Sequence, residues 1–198
     1  MKIGSQSSMI KSRDKKYSNS SILLETGKLS YEWALGTMKI IAKIREKYER
    51  SKPLSDFNLG FCLHITKETS ILLMAAKLLG ANISICSANP LSVQEDIVEF
   101  LRYNEIKVFA KKNQTEKEFF KNIIKVANTN PDIITDDGAE LHSIAHKRKI
   151  KSIIGGTEET TSGILRILSI QSKNKLNYAI IGVNDAKTKH LFDNRYGT

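Results

Sequence analysis

The stretch 58–87, NLGFCLHITKETSILLMAAKLLGANISICS, decides the fold because it contains one complete strand–helix–strand pattern. Residues 58–63 and 82–86 are short apolar runs of the kind that form buried strands. Between them, residues 67–79 carry apolar side chains at helical spacing, and Gly80 stands where helices commonly end. Strands joined by a helix pair in parallel, so this stretch predicts an α/β protein with a parallel sheet.

The same alternation continues to the end of the sequence. Capping-box pairs such as Ser92 with Glu95 and Thr115 with Glu118 mark helix starts. The alternation predicts a parallel sheet flanked by helices on both faces. The predicted strands are 58–63, 82–86, 106–110, 132–135, 151–154 and 178–183, and the predicted helices lie near 67–79, 92–103, 115–127, 138–148, 158–171 and 186–194.

The N-terminal part of the sequence differs from the rest. Residues 1–28 are polar, basic and rich in serine, which predicts a mobile arm. Residues 31–50 carry apolar side chains at about helical spacing and predict an amphipathic helix that ends before Pro53. No linker or repeat interrupts residues 29–198, so these residues are predicted to form one α/β domain.

The composition excludes several classes of protein. The 198 residues are 40% hydrophobic and 26% charged, which is incompatible with wholesale disorder or collagen-like repeats. No apolar run approaches the ~18 residues of a membrane span, and no secretory signal is apparent, so we expect a cytoplasmic protein without a membrane partner. Both cysteines, Cys62 and Cys86, lie in apolar runs and are predicted to be buried thiols.

The formal net charge of +10 raises the question of nucleic-acid binding. The excess is spread along the chain apart from one run, Lys147, Arg148, Lys149 and Lys151, which follows a predicted helix and complements its dipole. No aromatic residues interleave with these cations, as base stacking would need. A solvated surface is the favoured interpretation, and a nucleic-acid-binding module is the alternative.

Polar residues gather directly after the predicted strands. In open parallel sheets, ligands bind outside the carboxyl ends of the strands, where these residues meet. Their hydroxyl, amine and carboxylate groups therefore predict a small-molecule site at this edge. The segments are 64–69, 87–90, 136–138, 155–163 and 184–185, the last of which leads to Lys189 and Asp193.

Each of these residues also has a simpler explanation. Asp137 and Thr157 stand where helix N-caps are found, and Lys189 with Asp193 could form an ordinary i, i+4 ion pair. His64 could be a core histidine.

Two kinds of site are not predicted. His142 and His146 are four residues apart, but the segment lacks the glutamate of the zinc-protease motif, so no metal site is expected. No Walker loop and no G-x-G-x-x-G motif follows any predicted strand, so these residues hold no dinucleotide fingerprint of their own.

Five polar motifs occur in order between about Leu29 and the end of the sequence. They are LHITKET (63–69), SANPLSVQ (87–94), DDG (136–138), EETTSG (158–163) and VNDAKTKHLFDNRYG (183–197). In this order and spacing they resemble adenosylhomocysteinase, and they correspond to the substrate-binding part of that family.

The resemblance implies reversible hydrolysis of S-adenosyl-L-homocysteine to adenosine and L-homocysteine, a step of one-carbon metabolism, with tightly held NAD as oxidant of the ribose 3′-hydroxyl. It implies that Lys189 and Asp193 hold and deprotonate this hydroxyl. It also implies that Asp137 and His64 transfer protons at C4′ and C5′, so that the implied catalytic residues are His64, Asp137, Lys189 and Asp193.

The resemblance also implies binding roles for other residues. Glu159 and Thr66 would bind the ribose side of the substrate, and Glu68 the adenine amine. The implied NAD contacts are Thr160, Thr161, Ser162 and Asn194.

The family pattern continues beyond these motifs into a separate NAD-binding Rossmann domain, which we expect these 198 residues to lack. The first hypothesis is therefore the substrate-binding part of the enzyme, acting with a separate NAD-binding domain or in a homo-oligomer. The second is a non-catalytic homologue that binds adenosine-like ligands or regulates a full-length relative. The sequence departs from the family at Ser162, usually threonine, at Leu191, where a second lysine is found, and at Thr198, often cysteine.

Overall fold

A computed structural model describes residues 4–191 and Arg195, with side chains from Asn19 onward. In this part of the chain, six strands form one fully parallel sheet, which confirms the predicted fold class. The strands are β1 (Asn58–Leu63), β2 (Asn82–Ser87), β3 (Lys107–Phe109), β4 (Ile133–Asp136), β5 (Gly155–Glu158) and β6 (Ala179–Gly182). Their order across the sheet is β3-β2-β1-β4-β5-β6, so the chain builds outward from β1 in both directions.

Helices connect the strands and cover both faces of the sheet. Within the described residues they are α1 (Gly4–Thr37), α2 (Lys39–Tyr48), α3 (Lys67–Leu78), α4 (Glu95–Tyr103), α5 (Glu116–Ala127), α6 (Glu140–Arg148), α7 (Thr161–Ser172) and α8 (Lys187–Leu191). Among them, none combines the length and apolar character that crossing a membrane requires.

Side chains that alternate along β1 contribute to two hydrophobic cores, one on each face of the sheet. Leu59, Phe61 and Leu63 pack on one face with residues of α3 and α4, whereas Cys62 packs on the other face with residues of α5 and α6. Successive side chains of a strand point to opposite faces, so a six-residue strand serves both cores. Each large apolar side chain that is fully buried in this way contributes about 1.5–3 kcal/mol. The free thiols of Cys62 and Cys86 are buried, as predicted.

The N-terminal helices differ from the prediction of an arm followed by one helix over residues 31–50. Helix α1 continues through the predicted boundary at residue 28 and packs along α4, where the hydroxyl of Ser30 donates to Asp96 Oδ2 at 3.0 Å. A Cβ atom at Gly27 would lie 2.2 Å from the carbonyl oxygen of Asp96, so the close approach of these helices requires glycine. The chain leaves the helical conformation at Met38 (φ −93°, ψ 59°) before α2 begins. The mobility of residues 1–28 stays a prediction.

The predicted strand and helix between residues 151 and 171 begin later in the structure than their local patterns indicate. The predicted strand 151–154 is wrong, because β5 is formed by residues 155–158, whose register with β4 pairs Ile133 with Gly155. Position 156 must be glycine because a Cβ atom there would lie 2.5 Å from Cε1 of His142. Pairing and close packing therefore outweigh the β-propensity of the preceding isoleucines. The helix that follows begins accordingly at residue 161, not 158.

One of the predicted helix caps is present in the structure, and two are not. Thr115 and Glu118 form the predicted capping box of α5. Ser92 does not cap α4, which begins at Glu95 with Gln94 at its N-cap position and no side-chain hydrogen bond there. Asp137 is likewise not the N-cap of α6; that position is held by Ala139 in a left-handed conformation. The side chains of Ser92 and Asp137 are thereby available for other contacts.

Candidate active site

The strand register sets a row of residues across the carboxyl ends of five strands. Successive partners in this row are Cys86, Cys62, Asp136, Glu158 and Gly182. The residues that follow the row leave the sheet at the same edge, because all the strands are parallel. The described residues of the motifs are therefore brought to one edge of the sheet by the fold.

His64 and Asp137 form the central pair at this edge. Nε2 of His64 lies 3.2 Å from Oδ2 of Asp137, whose side chain is 15% exposed. The backbone N–H of Asp137 donates to the carbonyl oxygen of Cys62, which ties the loop after β4 to β1. The hydrogen bond with Asp137 raises the pKa of His64, while partial burial acts in the opposite direction. The contact with Asp137 therefore favours the charged form of the His64 ring.

Glu159 and Lys189 join this pair from two further segments. Nζ of Lys189 donates to the backbone carbonyl oxygen of Glu159 at 2.6 Å. The pKa of Glu159 is raised, mainly by desolvation of its carboxyl group and secondly by repulsion from Asp137. The residue as a whole is nevertheless exposed. Lys189 and His64 act on the same carboxyl group in the opposite direction. The N–H of Glu159 donates to the carbonyl oxygen of Asp136, the neighbour of Asp137, at 3.0 Å. These contacts bring four of the predicted site residues, His64, Asp137, Glu159 and Lys189, together.

Thr66 and Glu68 lie at the start of α3, directly after His64. Thr66 is the N-cap of this helix, and its hydroxyl accepts a hydrogen bond from the N–H of Thr69 at 3.4 Å. Glu68 is exposed in the first turn, with Lys67 3.8 Å from its carboxylate. A carboxylate in the first turn is stabilised by the helix dipole.

Two buried carboxylates that the sequence reasoning missed hold the loops of the site. Glu158 accepts hydrogen bonds from the N–H groups of Gly138, Ala139 and Thr160 and from the Thr160 hydroxyl. Asp136 accepts from the N–H groups of Asp137 and His142. The signal in the sequence was the doubling of each acid, DD and EE: the first acid ends a buried strand and the second follows it.

The environment of Asp136 is unusual for a carboxyl group. The side chain is fully buried, and burial raises its pKa to about 7, with repulsion from Glu158 acting in the same direction. The backbone hydrogen bond from His142 opposes this rise. Asp136 is therefore a buried group whose protonation changes near neutral pH, one residue before Asp137.

The group Asp136, His142 and Glu158 has ligand atoms within 4.8 Å of one another, which is compatible with a metal ion. Each group already has partners in the chain, however: Nδ1 of His142 meets the Tyr178 hydroxyl at 2.9 Å, and Nε2 meets the Thr157 carbonyl oxygen at 3.1 Å. Burial lowers the pKa of His142 to about 4, so the ring is neutral. We assign this cluster to the support of the two loops, and the expected lack of a metal stays a prediction.

Three of the predicted NAD contacts, Thr160, Thr161 and Ser162, lie at the N-terminus of α7. Thr160 is the N-cap: its hydroxyl accepts from the N–H of Gly163 and donates to Glu158, so both roles are used within the chain. Thr161 and Ser162 are exposed, and the hydroxyl of Thr161 accepts from Asn184 Nδ2 at 3.0 Å. Asp193 and Asn194 lie outside the described residues.

The fold and the site together define an α/β protein with a cluster of acidic, basic and hydroxyl side chains at the carboxyl edge of a parallel sheet. The family model described as S-adenosyl-L-homocysteine hydrolase matches residues 17–152 and 142–195. The chain belongs to this family, as the motifs predict.

Several curated relatives are similar to most of the chain. An adenosylhomocysteinase of Sulfolobus acidocaldarius is 42% identical over 177 residues, which cover 89% of this chain and 43% of the relative. An adenosylhomocysteinase of Thermotoga maritima is 39% identical, with 88% and 44% covered. An S-inosyl-L-homocysteine hydrolase of Methanococcus maripaludis is 41% identical, with 89% and 43% covered. The chain thus spans less than half the length of these relatives.

Proposed function

We propose that this chain is the substrate-binding part of an enzyme that hydrolyses S-adenosyl-L-homocysteine to adenosine and L-homocysteine. The observation that carries the proposal is the grouping of His64, Asp137, Glu159 and Lys189 from four separate segments at one edge of the sheet. Such convergence of acids and bases in one place is typical of sites that move protons.

The residues of this group have complementary chemistry toward a ribose. The Lys189 ammonium donates and the Glu159 carboxylate accepts, so together they can hold neighbouring hydroxyl groups. In the proposed site Lys189 and Asp193 hold the 3′-hydroxyl, and Lys189 takes its proton when it is present as the neutral amine. Glu159 and Thr66 bind the ribose side. His64 and Asp137 exchange protons at C4′ and C5′, for which a histidine with a raised pKa is suited. Glu68 accepts from the purine base.

The residues at the start of α7 fit one side of a dinucleotide. Thr161 and Ser162 present exposed hydroxyl groups at the N-terminus of a 12-residue helix, where the backbone dipole favours negative charge. We propose that they hold NAD together with Asn194; Thr160 keeps its N-cap role and contacts the same side. When bound, NAD would supply the acceptor for the hydride of the ribose carbon.

Calorimetric titration of the 198-residue chain with adenosine and S-adenosyl-L-homocysteine tests the binding role. We expect Glu159→Gln and Lys189→Met each to weaken binding about ten-fold, since a hydrogen bond to a charged group contributes about 1.5–3 kcal/mol. Lys187→Met, at an exposed lysine of the same helix, is the control for the loss of one positive charge. Equal losses at Lys187 and Lys189, or no nucleoside binding by the unaltered chain, would contradict the assignment.

Relatives named for two different substrates are about equally similar to this chain, at 42% and 41% identity. A carboxylate at Glu68 can accept from the amine of adenine and also from the ring N–H of hypoxanthine. Adenosine is the substrate that we propose. Titration with inosine in parallel decides between the two substrates. If inosine binds more tightly than adenosine, and if this preference is lost in Glu68→Gln, the substrate would be S-inosyl-L-homocysteine.

A turnover assay separates the enzyme from a non-catalytic, regulatory homologue. We expect the 198 residues alone to release no homocysteine, because they hold no glycine-rich dinucleotide loop. Supplying the part of the Sulfolobus acidocaldarius relative that this chain does not cover should restore NAD retention and turnover together. A stable complex that retains NAD without turnover, and whose assembly survives Lys189→Met, would favour the regulatory function.

A further inference from the structure

Ser92 has a hydrogen-bonding arrangement that capping does not explain. Its hydroxyl oxygen lies 2.5 Å from Nδ1 of His64 and 3.1 Å from the carbonyl oxygen of Asn89. On the opposite side of the imidazole ring, Nε2 faces Asp137 at 3.2 Å. The ring is therefore held between a hydroxyl group, which can donate or accept, and a carboxylate, which accepts.

The positions of the protons follow from which groups can donate. The Asn89 carbonyl only accepts, so when the Ser92 O–H points to it, the Ser92 oxygen must accept from Nδ1–H of His64. Asp137 accepts from Nε2–H, and a ring that donates from both nitrogens carries a positive charge. When the Nδ1 proton leaves to solvent, the hydroxyl can turn and donate to Nδ1, while Nε2–H stays on Asp137.

Rotation of the Ser92 hydroxyl away from the Asn89 carbonyl oxygen leaves that oxygen hydrogen-bonded. This oxygen also accepts from the N–H of Ser92 and from the hydroxyl of Ser87, so it keeps two partners when the Ser92 hydroxyl leaves. A carbonyl oxygen has two lone pairs, and both remain used.

The loop that carries Ser92 is tied to the chain just after His64. Val93 pairs with Ile65 in an isolated parallel bridge, and the N–H of Gln94 donates to the carbonyl oxygen of Ile65 at 3.0 Å. Gln94 Oε1 in turn accepts from the N–H of Lys67 at 3.1 Å. The distance between Ser92 and His64 is thus set by contacts between the residues that follow each of them.

We propose that Ser92 is the positioning residue of His64: its hydroxyl accepts from Nδ1–H in the charged ring and donates to Nδ1 in the neutral ring. The imidazole then keeps one orientation, and its Nε2–H stays on Asp137, in both charge states. The catalytic importance of Ser92 rests on the proposed function, in which His64 and Asp137 move protons. The exchange of hydrogen bonds between Ser92 and His64 does not depend on that function.

Other charged groups near the ring belong to different elements. Asp137, after β4, and Glu159, after β5, favour the charged ring. Lys189, from α8, lowers the pKa of Glu159. Any change caused by Ser92 must therefore be measured with these three residues unaltered.

Nitrogen NMR of histidine-labelled chain over a pH series tests the proposal, because the chain has only 4 histidines. In Ser92→Ala the charged ring loses a stronger hydrogen bond than the neutral ring does. At a given pH we expect the ratio of charged to neutral His64 to fall about three- to five-fold, and the neutral Nδ1 signal to lose its hydrogen-bond shift. Ser92→Thr, which keeps the hydroxyl group, should restore both.

The signals of His142 and His146, buried on α6, report whether each variant keeps its fold. An unchanged ratio in folded Ser92→Ala, or an equal fall in Ser92→Thr, overturns the proposal. If Ser92→Ala does not fold, Ser92→Cys, with similar volume and a weaker donor, gives the same decision. Nucleoside titration of the same variants is independent: absent binding would refute the proposed function while the histidine titration still decides the role of Ser92.

Discussion

Asp136→Asn should change how the stability of the protein depends on pH. The wild-type carboxyl group is buried, and its pKa rises from an ordinary 3.8 to about 7 in the folded chain. Between these two values the folded state keeps a proton that the unfolded state has lost. Stability contributed by this proton is complete below the unfolded pKa and is lost as the pH rises toward 7. Asparagine has no such proton, so this loss should be absent in the variant.

The size of the effect follows from the two pKa values. A difference of one pKa unit corresponds to about 1.4 kcal/mol, so the whole rise corresponds to about 4 kcal/mol, of which about 2 kcal/mol falls between pH 5 and pH 7. The asparagine amide cannot accept from both the Asp137 and His142 N–H groups, so the variant should be less stable at pH 5 by about 1–3 kcal/mol. As the pH rises to 7, this deficit should shrink or reverse.

Urea unfolding followed by circular dichroism at pH 5, 6 and 7 gives the required free energies of unfolding. The quantity of interest is the difference between wild type and variant at each pH, because contributions from titrating groups distant from Asp136 cancel in it. Asp56→Asn, at an exposed loop residue, controls for the loss of one negative charge. Parallel stability curves for wild type and Asp136→Asn would refute the argument that burial holds a proton on Asp136.

Two further predictions concern the backbone around the buried carboxylates. Gly163→Ala would place a Cβ atom 2.1 Å from Oε1 of Glu158, whose hydrogen bonds hold it in place, so we expect a loss of about 2–3 kcal/mol. Gly36→Ala, in α1 with nothing within 4 Å of the new Cβ, should instead be neutral or stabilising by up to about 1 kcal/mol. Ala139→Gly should raise stability by about 0.5–1 kcal/mol, because Ala139 has φ 59° in the left-handed region, which disfavours L-residues. Ala145→Gly, in the body of α6, should lower it by about 1 kcal/mol or more, and thermal unfolding that ranks the two alanines in the opposite order would contradict this explanation.

The order and type of the central elements were predictable because they depend on local patterns. Apolar runs and helical spacing repeat along the sequence, and parallel strands bring all their carboxyl ends to one edge, so the convergence of His64, Asp137, Glu159 and Lys189 could be expected. The start of β5 was not predictable in this way. Its glycines have low β-propensity, and its position depends on pairing with β4 and on the space that His142 leaves.

The amino-acid sequence by itself determined the parallel α/β fold, the family and the edge of the sheet at which the site lies. Only the tertiary structure decided which acid of each pair is buried, since Asp136 and Glu158 are held by backbone N–H groups while Asp137 and Glu159 follow them toward the site. It also decided that Ser92 contacts His64 and does not cap α4. The physical reason is that periodicity is a property of neighbouring residues, whereas a hydrogen-bond partner 28 residues away depends on strand register and loop packing.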